Sequence, residues 1–169
     1  MITTAAQEDA IAIEKLINSA YRGETSKLGW TTEADLLQGE RVTADELSEI
    51  LNKKENTIFK LTDNNTIIGC VLLENKGNKL YLGMLTVSPE FQNSGIGKKL
   101  LKKAEEHALK LGLPKIVMTV ISIREELIAW YNRHGFADTG IREPFPLNDT
   151  DAVISPQPLE FIVLEKKVS

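Results

Sequence analysis

Residues 80–103 read LYLGMLTVSPEFQNSGIGKKLLKK, and this stretch limits the fold more than any other part of the chain. Its first half is an apolar run of strand formers. Its second half sets Leu100, Leu101 and the later Ala104 at helical spacing, and two glycines stand between the halves. A strand that runs through a glycine-containing turn into a helix presents amides without intrahelical acceptors at the positive end of the helix dipole. That arrangement is an anion site. Lys98, Lys99, Lys102 and Lys103 sharpen the point, because a cation in the first turns of a helix is opposed by roughly 0.3–1 kcal/mol and a bound polyanion reverses that sign. Lys98 is the best candidate contact, while Lys102 and Lys103 read as helix formers on a solvated face.

Three phosphate-binding patterns compete for the loop. The nucleotide P-loop requires glycine five positions before Gly97 and a hydroxyl residue after Lys98, where this chain has Gln92 and Lys99. The dinucleotide fingerprint requires glycine at position 100, which is Leu100, and no complete βαβ unit with a ribose-binding acid follows. What remains is Q-x-x-G-x-G after a strand ending in L-T-V.

The rest of the chain supplies the frame. Its 169 residues, 42% hydrophobic and 26% charged, suit one globular domain over 1–169. The net charge of −4 argues against a nucleic-acid partner, although a local basic patch can still hold a small anion. Cys70 is the sole cysteine, and its setting in IIGCVLL predicts a buried strand residue. No apolar run reaches the length of a membrane span, and MITTAAQEDA lacks the marks of a signal peptide, so a cytoplasmic chain without a membrane partner is expected.

After a short strand at Ile2 to Ala5, apolar positions at helical spacing predict a first helix ending at Tyr21. The segment from Arg22 to Val42 reads as a loop with one helical turn around Glu33 to Leu37. Thr43 to Glu46 fits a capping box that opens a second helix. Strands at Thr57 to Thr62, Ile67 to Glu74 and Lys79 to Val87, separated by DNN and NKGN, predict an antiparallel meander. A helix from Lys98 to Leu111 leads to a strand at Lys115 to Ile121. A second capping-box match, Ser122 to Glu125, opens a helix ended by Gly135. Phe136 to Ile141 and Leu159 to Val168 are the closing strands. The expected fold class is therefore α/β: a mixed central sheet with an antiparallel N-terminal meander and a parallel pair at its fourth and fifth strands, flanked by helices.

In that frame, Q-x-x-G-x-G resembles the acetyl-CoA pyrophosphate loop of the GNAT superfamily of N-acetyltransferases. The likeness extends through LTVSPEFQNSGIGKKLL to WYNRHGF, which is similar to the superfamily's aromatic-Tyr-x-x-x-Gly-Phe helix ending. It is close over Leu80 to Thr139, and AYRGE followed by GWTTEADLL resembles one branch of the superfamily. The resemblance implies a GNAT-like fold in which the strand Lys79 to Val87 splays from its parallel neighbour, and pantetheine enters the gap as an added strand. It assigns cofactor binding to Leu85, Thr86 and Val87 and to the loop Gln92, Asn93, Ser94, Gly95, Ile96, Gly97 and Lys98. It assigns the general acid to Tyr131. Gly83 marks a bulge in that strand on this reading.

The implied reaction moves an acetyl group from acetyl-CoA, with no metal, directly to an amine of a small molecule or peptide; a homodimer is compatible with it. The general base is open between Glu33, Glu74, Glu143 and water. Trp30, Glu33, Glu143, Phe145 and the loop Arg142 to Pro158 are the candidates for the acceptor pocket. His107 and His134 read as structural or solvated, and nothing near Cys70 suggests activation for an acyl relay. One departure stands out: Arg124 occupies the place where many members carry a cofactor-binding asparagine, seven positions before the tyrosine. A non-catalytic CoA sensor of the same fold and a purely structural module are the competing readings.

Overall fold

Asn64 and Asn65, both left-handed at φ 50 and 65, close a two-residue hairpin between β3 (Asn56–Asp63) and β4 (Thr66–Asn75). Paired left-handed residues match the right-handed twist of strands, which is why DNN turns the chain so tightly. Gly77, at φ 89, donates its amide to Asn75 Oδ1 and turns β4 into β5 (Leu80–Val87). The expected meander is thus present.

The computed structural model describes residues 1–21, 37–38, 42–92, 94–144, 152–153 and 160–168. Its remaining elements, in chain order, begin with β1 (Ile2–Thr4), α1 (Ala10–Tyr21), β2 (Leu37–Gln38) and α2 (Ala44–Asn52). After the meander come α3 (Ile96–Lys110), β6 (Lys115–Ile121), α4 (Glu125–Arg133), β7 (Ala137–Pro144), β8 (Ala152–Val153) and β9 (Glu160–Lys167). Seven strands form one mixed sheet in the order β1-β3-β4-β5-β6-β9-β7. Among the described strands only β5 and β6 pair in parallel, joined through α3, as expected of the fourth and fifth strands. The last strand, β9, inserts between β6 and β7, antiparallel to both.

The period-two alternation of the strands builds two cores. Phe59, Leu61, Val71, Leu73, Leu80 and Leu82 face α3, whose Leu100, Leu101, Ala104 and Ala108 form one buried stripe. Ile58, Cys70 and Leu72 face the other way, against Ile13, Leu16 and Ile17 of α1 and Leu47 of α2. Each fully buried leucine contributes about 1.5–3 kcal/mol relative to exposure. Gly69 is what lets α3 lie so close: a Cβ there would stand 2.9 Å from Ile96 Cγ2 and 3.1 Å from Leu100 Cδ1.

Helix starts repeat the expected chemistry once and break it once. Thr43 Oγ1 accepts the Glu46 amide at 3.2 Å and opens α2, which is one half of the expected box; Glu46 Oε1 accepts from the Thr43 hydroxyl and not from its amide, while Glu14 on α1 accepts the amide of Ala44. At α4 the expected Ser122 cap is wrong. Arg124 is the N-cap and makes no side-chain capping bond. The Ser122 amide is still bonded across the sheet to Glu160 O at 2.8 Å, so the chain leaves the sheet too late for Ser122 to cap anything. The helical turn expected at Glu33 to Leu37 lies mostly outside the described residues; Leu37 itself is in strand β2.

Candidate active site

The site begins with an irregularity in β5. Gly83 pairs with Leu72 and Thr86 with Cys70, which leaves Met84 and Leu85 together opposite Val71. This is a β-bulge, with Met84 at φ 52, one residue beyond the glycine expected to mark it. Thr86 Oγ1 donates to Met84 O at 2.8 Å and holds the bulge in place. An extra residue on one strand of a pair increases local twist. Accordingly β5 and β6 pair only at Leu80↔Ile116 and Tyr81↔Val117 and then part.

Beyond that point the strands bound a cleft of about 120 Å³, lined by Tyr81, Met84, Thr119, Arg124, Tyr131 and Phe161 among others. Tyr81 Oη and Thr119 Oγ1 bridge its two walls at 2.9 Å. A cavity of about 610 Å³ lies alongside it, between the end of β5, the start of α3 and one face of α4. Leu85, Leu127 and Tyr131 line both.

The floor of the larger cavity is the helix start. Gly95 is the N-cap of α3 in the left-handed region, at φ 83, and no side chain caps the helix. The first intrahelical bond is Lys99 N to Gly95 O, 3.1 Å, so the amides before Lys99 have no helical acceptor. Gln92 reaches back from the loop, its Nε2 donating to Val87 O at 3.2 Å, and Ser94 Oγ donates to Phe91 O. A Cβ on Gly97 would meet the Trp130 ring at 3.2 Å and the Val87 side chain at 3.9 Å. The cavity exists there because glycine leaves the space open. Lys98, Arg133 and His134 face Glu126 around it, which gives an electropositive lining in a chain of net charge −4.

Tyr131 is buried, with its ring edge-on to Trp130 at 5.1 Å and to Phe136 at 5.8 Å. Trp130 in turn stacks on His134 at 4.3 Å, and His134 Nδ1 lies 2.8 Å from Trp130 O. The end of α4 is braced by Lys166, whose Nζ donates to His134 O at 2.9 Å and pairs with Glu105 of α3 at 2.8 Å. Its stem lies where a side chain on Gly135 would stand.

Amides, cations and an adjoining split sheet suit a diphosphate on an extended arm. The model of the Acetyltransferase (GNAT) family matches residues 13–136. The chain belongs to that family. It is 28% identical over 82 residues to an IAA acetyltransferase of Azospirillum brasilense, covering 47% of this chain and 54% of that one. To a thialysine N-epsilon-acetyltransferase of Bos taurus it is 33% identical over 63 residues, 37% of either chain. It thus spans about half, or less, of the length of these curated relatives. Among solved structures, an N-acetyltransferase from Staphylococcus aureus superposes with a TM-score of 0.74 at 16% identity, covering 99% of this chain and 96% of that one. The PaiA N-acetyltransferase from Thermoplasma acidophilum, in complex with coenzyme A, gives 0.68 at 19% identity, over 99% and 98%. At such identities the likeness is one of fold.

Within this GNAT fold the expected cofactor residues Leu85, Val87, Gln92, Gly95, Ile96, Gly97 and Lys98 line the larger cavity together. Thr86 does not; the residue is 2% exposed and its hydroxyl is turned to Met84 O. Ser94 serves the loop, and Asn93 lies outside the described residues. Of the acceptor candidates, Trp30, Glu33 and Phe145 also lie outside them. Glu143 is exposed on β7, across from Phe161, and Glu74 sits 3.6 Å from Lys76. Neither lines the cavity or the cleft. The expected loop Arg142 to Pro158 is corrected in part: residues 142–144 belong to β7, and Ala152 and Val153 form β8, paired with Gln38 and Leu37 of β2. Gly69, Phe161 and Lys166 were not singled out from the sequence; a glycine inside an apolar strand was the available signal for the first.

Proposed function

We propose that residues 1–169 form one acetyl-CoA-dependent N-acetyltransferase domain, acting in the cytoplasm on an amine of a small molecule or peptide and compatible with a homodimer. The observation that carries this reading is the place of Tyr131, on the shared wall of a cavity lined by helix-start amides and cations and a cleft that splits the sheet. The cavity is within the size range of ligand sites. The loop amides from Gly95 to Lys98, with the Lys98 ammonium, are suited to the CoA diphosphate, and the parting edge of β5 to pantetheine.

Acetyl-CoA supplies an activated carbonyl and a thiolate leaving group. The chain has three tasks beside it. A β5 amide around Leu85 to Val87 polarises the thioester oxygen as the acceptor nitrogen bonds to its carbon. Tyr131, a phenol that is protonated at neutral pH, gives a proton to sulfur as the C–S bond breaks. The proton lost by the amine leaves through water; of the candidate bases, Glu74 and Glu143 line neither the cleft nor the cavity, and Glu33 lies outside the described residues. The apolar walls keep bulk water from competing for the thioester.

Thiol release from acetyl-CoA across a panel of amines tests the reading. Tyr131→Phe keeps the ring contacts with Trp130 and Phe136, so the fold is expected to lose about 1 kcal/mol or less, while kcat falls about 100-fold or more. Unchanged turnover in that variant removes the proposed acid. CoA binding without thiol release from any amine supports the sensor reading instead.

A further inference from the structure

Leu80 and Leu82 face α3, and strand alternation would set Met84 beside them. Instead Met84 packs on the opposite core, with α1 and α2, while Leu85 and Val87 take the α3 side. The bulge has shifted the phase of β5 by one residue. Through that shift Leu85 and Val87 come to line the cavity. The backbone turns with the side chains. Ser88 N donates to Ile68 O of β4 at 2.8 Å, so by alternation the Thr86 amide points to β4 as well, and the amides of Leu85 and Val87 point to the other edge, where β6 has parted. Val87 O, on that edge, accepts from Gln92 of the glycine loop.

The shifted phase has to be held. Met84 stands at φ 52, a left-handed conformation that is costly for a residue that is neither glycine nor asparagine nor aspartate. Such strain persists where the surroundings over-determine it, and it clusters at functional sites. Here two side chains bind one carbonyl: Met84 O accepts from Thr86 Oγ1 at 2.8 Å and, from the facing strand, Cys70 Sγ at 3.8 Å. Thr86 is 2% exposed, and apart from Tyr131 and Cys70 no other buried residue among those described carries a polar side chain. A valine would fill the same space without the cost of burying a hydroxyl. The hydroxyl is therefore there for its bond.

We infer that Thr86 is a positioning residue for acyl transfer: its hydroxyl holds Met84 in the left-handed conformation and so aims the β5 amide at the thioester oxygen. The inference rests on the acyl-transfer reading above, and it gives Thr86 a task other than contact with the cofactor. Misplacing such a group by about 1 Å costs about 100-fold in rate.

Acetyl-CoA labelled with carbon-13 at its carbonyl, bound with no acceptor present, reports the polarisation through the infrared stretch of that carbonyl. In the wild-type protein the stretch is expected at lower wavenumber than in water, and in Thr86→Val that displacement falls to about half or less. Thr86→Ser keeps the hydroxyl and retains the displacement. Met84→Gly added to Thr86→Val recovers part of it, because glycine takes φ 52 without penalty. CoA affinity, by calorimetry, stays within about threefold in every variant, since the diphosphate loop is untouched. With the amine that gives most thiol release in the panel above, kcat of Thr86→Val falls about ten- to a hundredfold while KM for acetyl-CoA holds. A displacement that Thr86→Val leaves unchanged overturns the proposal and leaves the acyl-transfer reading standing. So does a Thr86→Val protein that loses CoA affinity together with the displacement, or a double variant that binds CoA normally and recovers nothing. A wild-type protein that shows no displacement, or binds no acetyl-CoA, removes the acyl-transfer reading and the role of Thr86 with it.

Discussion

An added Cβ at Gly97 would stand 3.2 Å from two rim carbons of Trp130, closer than most real contacts, while the backbone there is not left-handed. Gly97→Ala is therefore expected to fold but to push the indole into the cavity mouth. CoA affinity should fall about tenfold or more, with a shifted tryptophan emission, and melting should change little. Gly95→Ala is the useful contrast. Nothing lies within 4 Å of its Cβ, but φ is 83, so the cost is about 1–2 kcal/mol of stability from backbone strain. Cys70 poses a different question at the same scale. Burial pushes its thiol up to about 12, against a lowering hydrogen bond with Thr86, and it is 1% exposed. The native protein should leave a thiol reagent such as DTNB unreacted at pH 8, and one thiol should appear on unfolding. Rapid labelling of the native chain would contradict both the burial and the shift. The same silence makes that reagent usable for measuring CoA release.

At the scale of elements, Gly69 couples the sheet to the site. Its missing side chain allows Ile96 and Leu100, the first turn of α3, to rest on β4, and the loop amides move with that turn. Gly69→Ala is expected to cost about 1–3 kcal/mol by overpacking and to weaken CoA binding in the same protein, in contrast to Gly97→Ala. Urea melts and CoA titrations of the two variants separate the cases. What was legible in the sequence follows the same line between local and distant causes. The hairpin at Asn64 and Asn65, the stripe on α3, the stop at Gly135 and the glycine loop are written in neighbouring residues, and each formed. The insertion of β9 between β6 and β7 depends on pairing across the chain, which no local pattern encodes. The false Ser122 cap arose because the amide of Ser122 was already committed to Glu160 O. The bulge was legible only to within a residue, since glycine permits strain but Met84 carries it. Seven of the residues expected to bind the cofactor line one cavity because they share one strand-loop-helix unit, whereas the acceptor candidates were drawn from separate stretches with no common element.

For the whole molecule, the two cores share one sheet, so acid acts on both through the groups at their margins. His107 sits in the last turn of α3 with its ring edge-on to Phe59 at 5.3 Å. A helix C-terminus favours the imidazolium by about 0.3–1 kcal/mol. Burial, and then repulsion from Lys110 and Lys103, act against it and prevail, so its pKa lies below the ordinary 6.5. The unfolded chain then binds more protons than the native one between that depressed value and 6.5, and stability must fall as pH drops through this window. Asp9 works in a lower range. Burial raises its pKa, but the Ala6 amide and Lys60, whose Nζ is 2.9 Å away, lower it further than burial raises it. The net shift is below 3.8, so this carboxylate's contribution is complete above that value and fades as pH falls through the folded pKa. Urea melts from pH 8 to 3 should accordingly show a first decline beginning near 6.5 and a second below about 4. His107→Gln should flatten the first alone, and Asp9→Asn the second alone, because the residues lie on opposite faces of the sheet. A profile that stays level from pH 7 to 5 in the wild-type protein would mean that the helix end, not burial beside the lysines, governs His107.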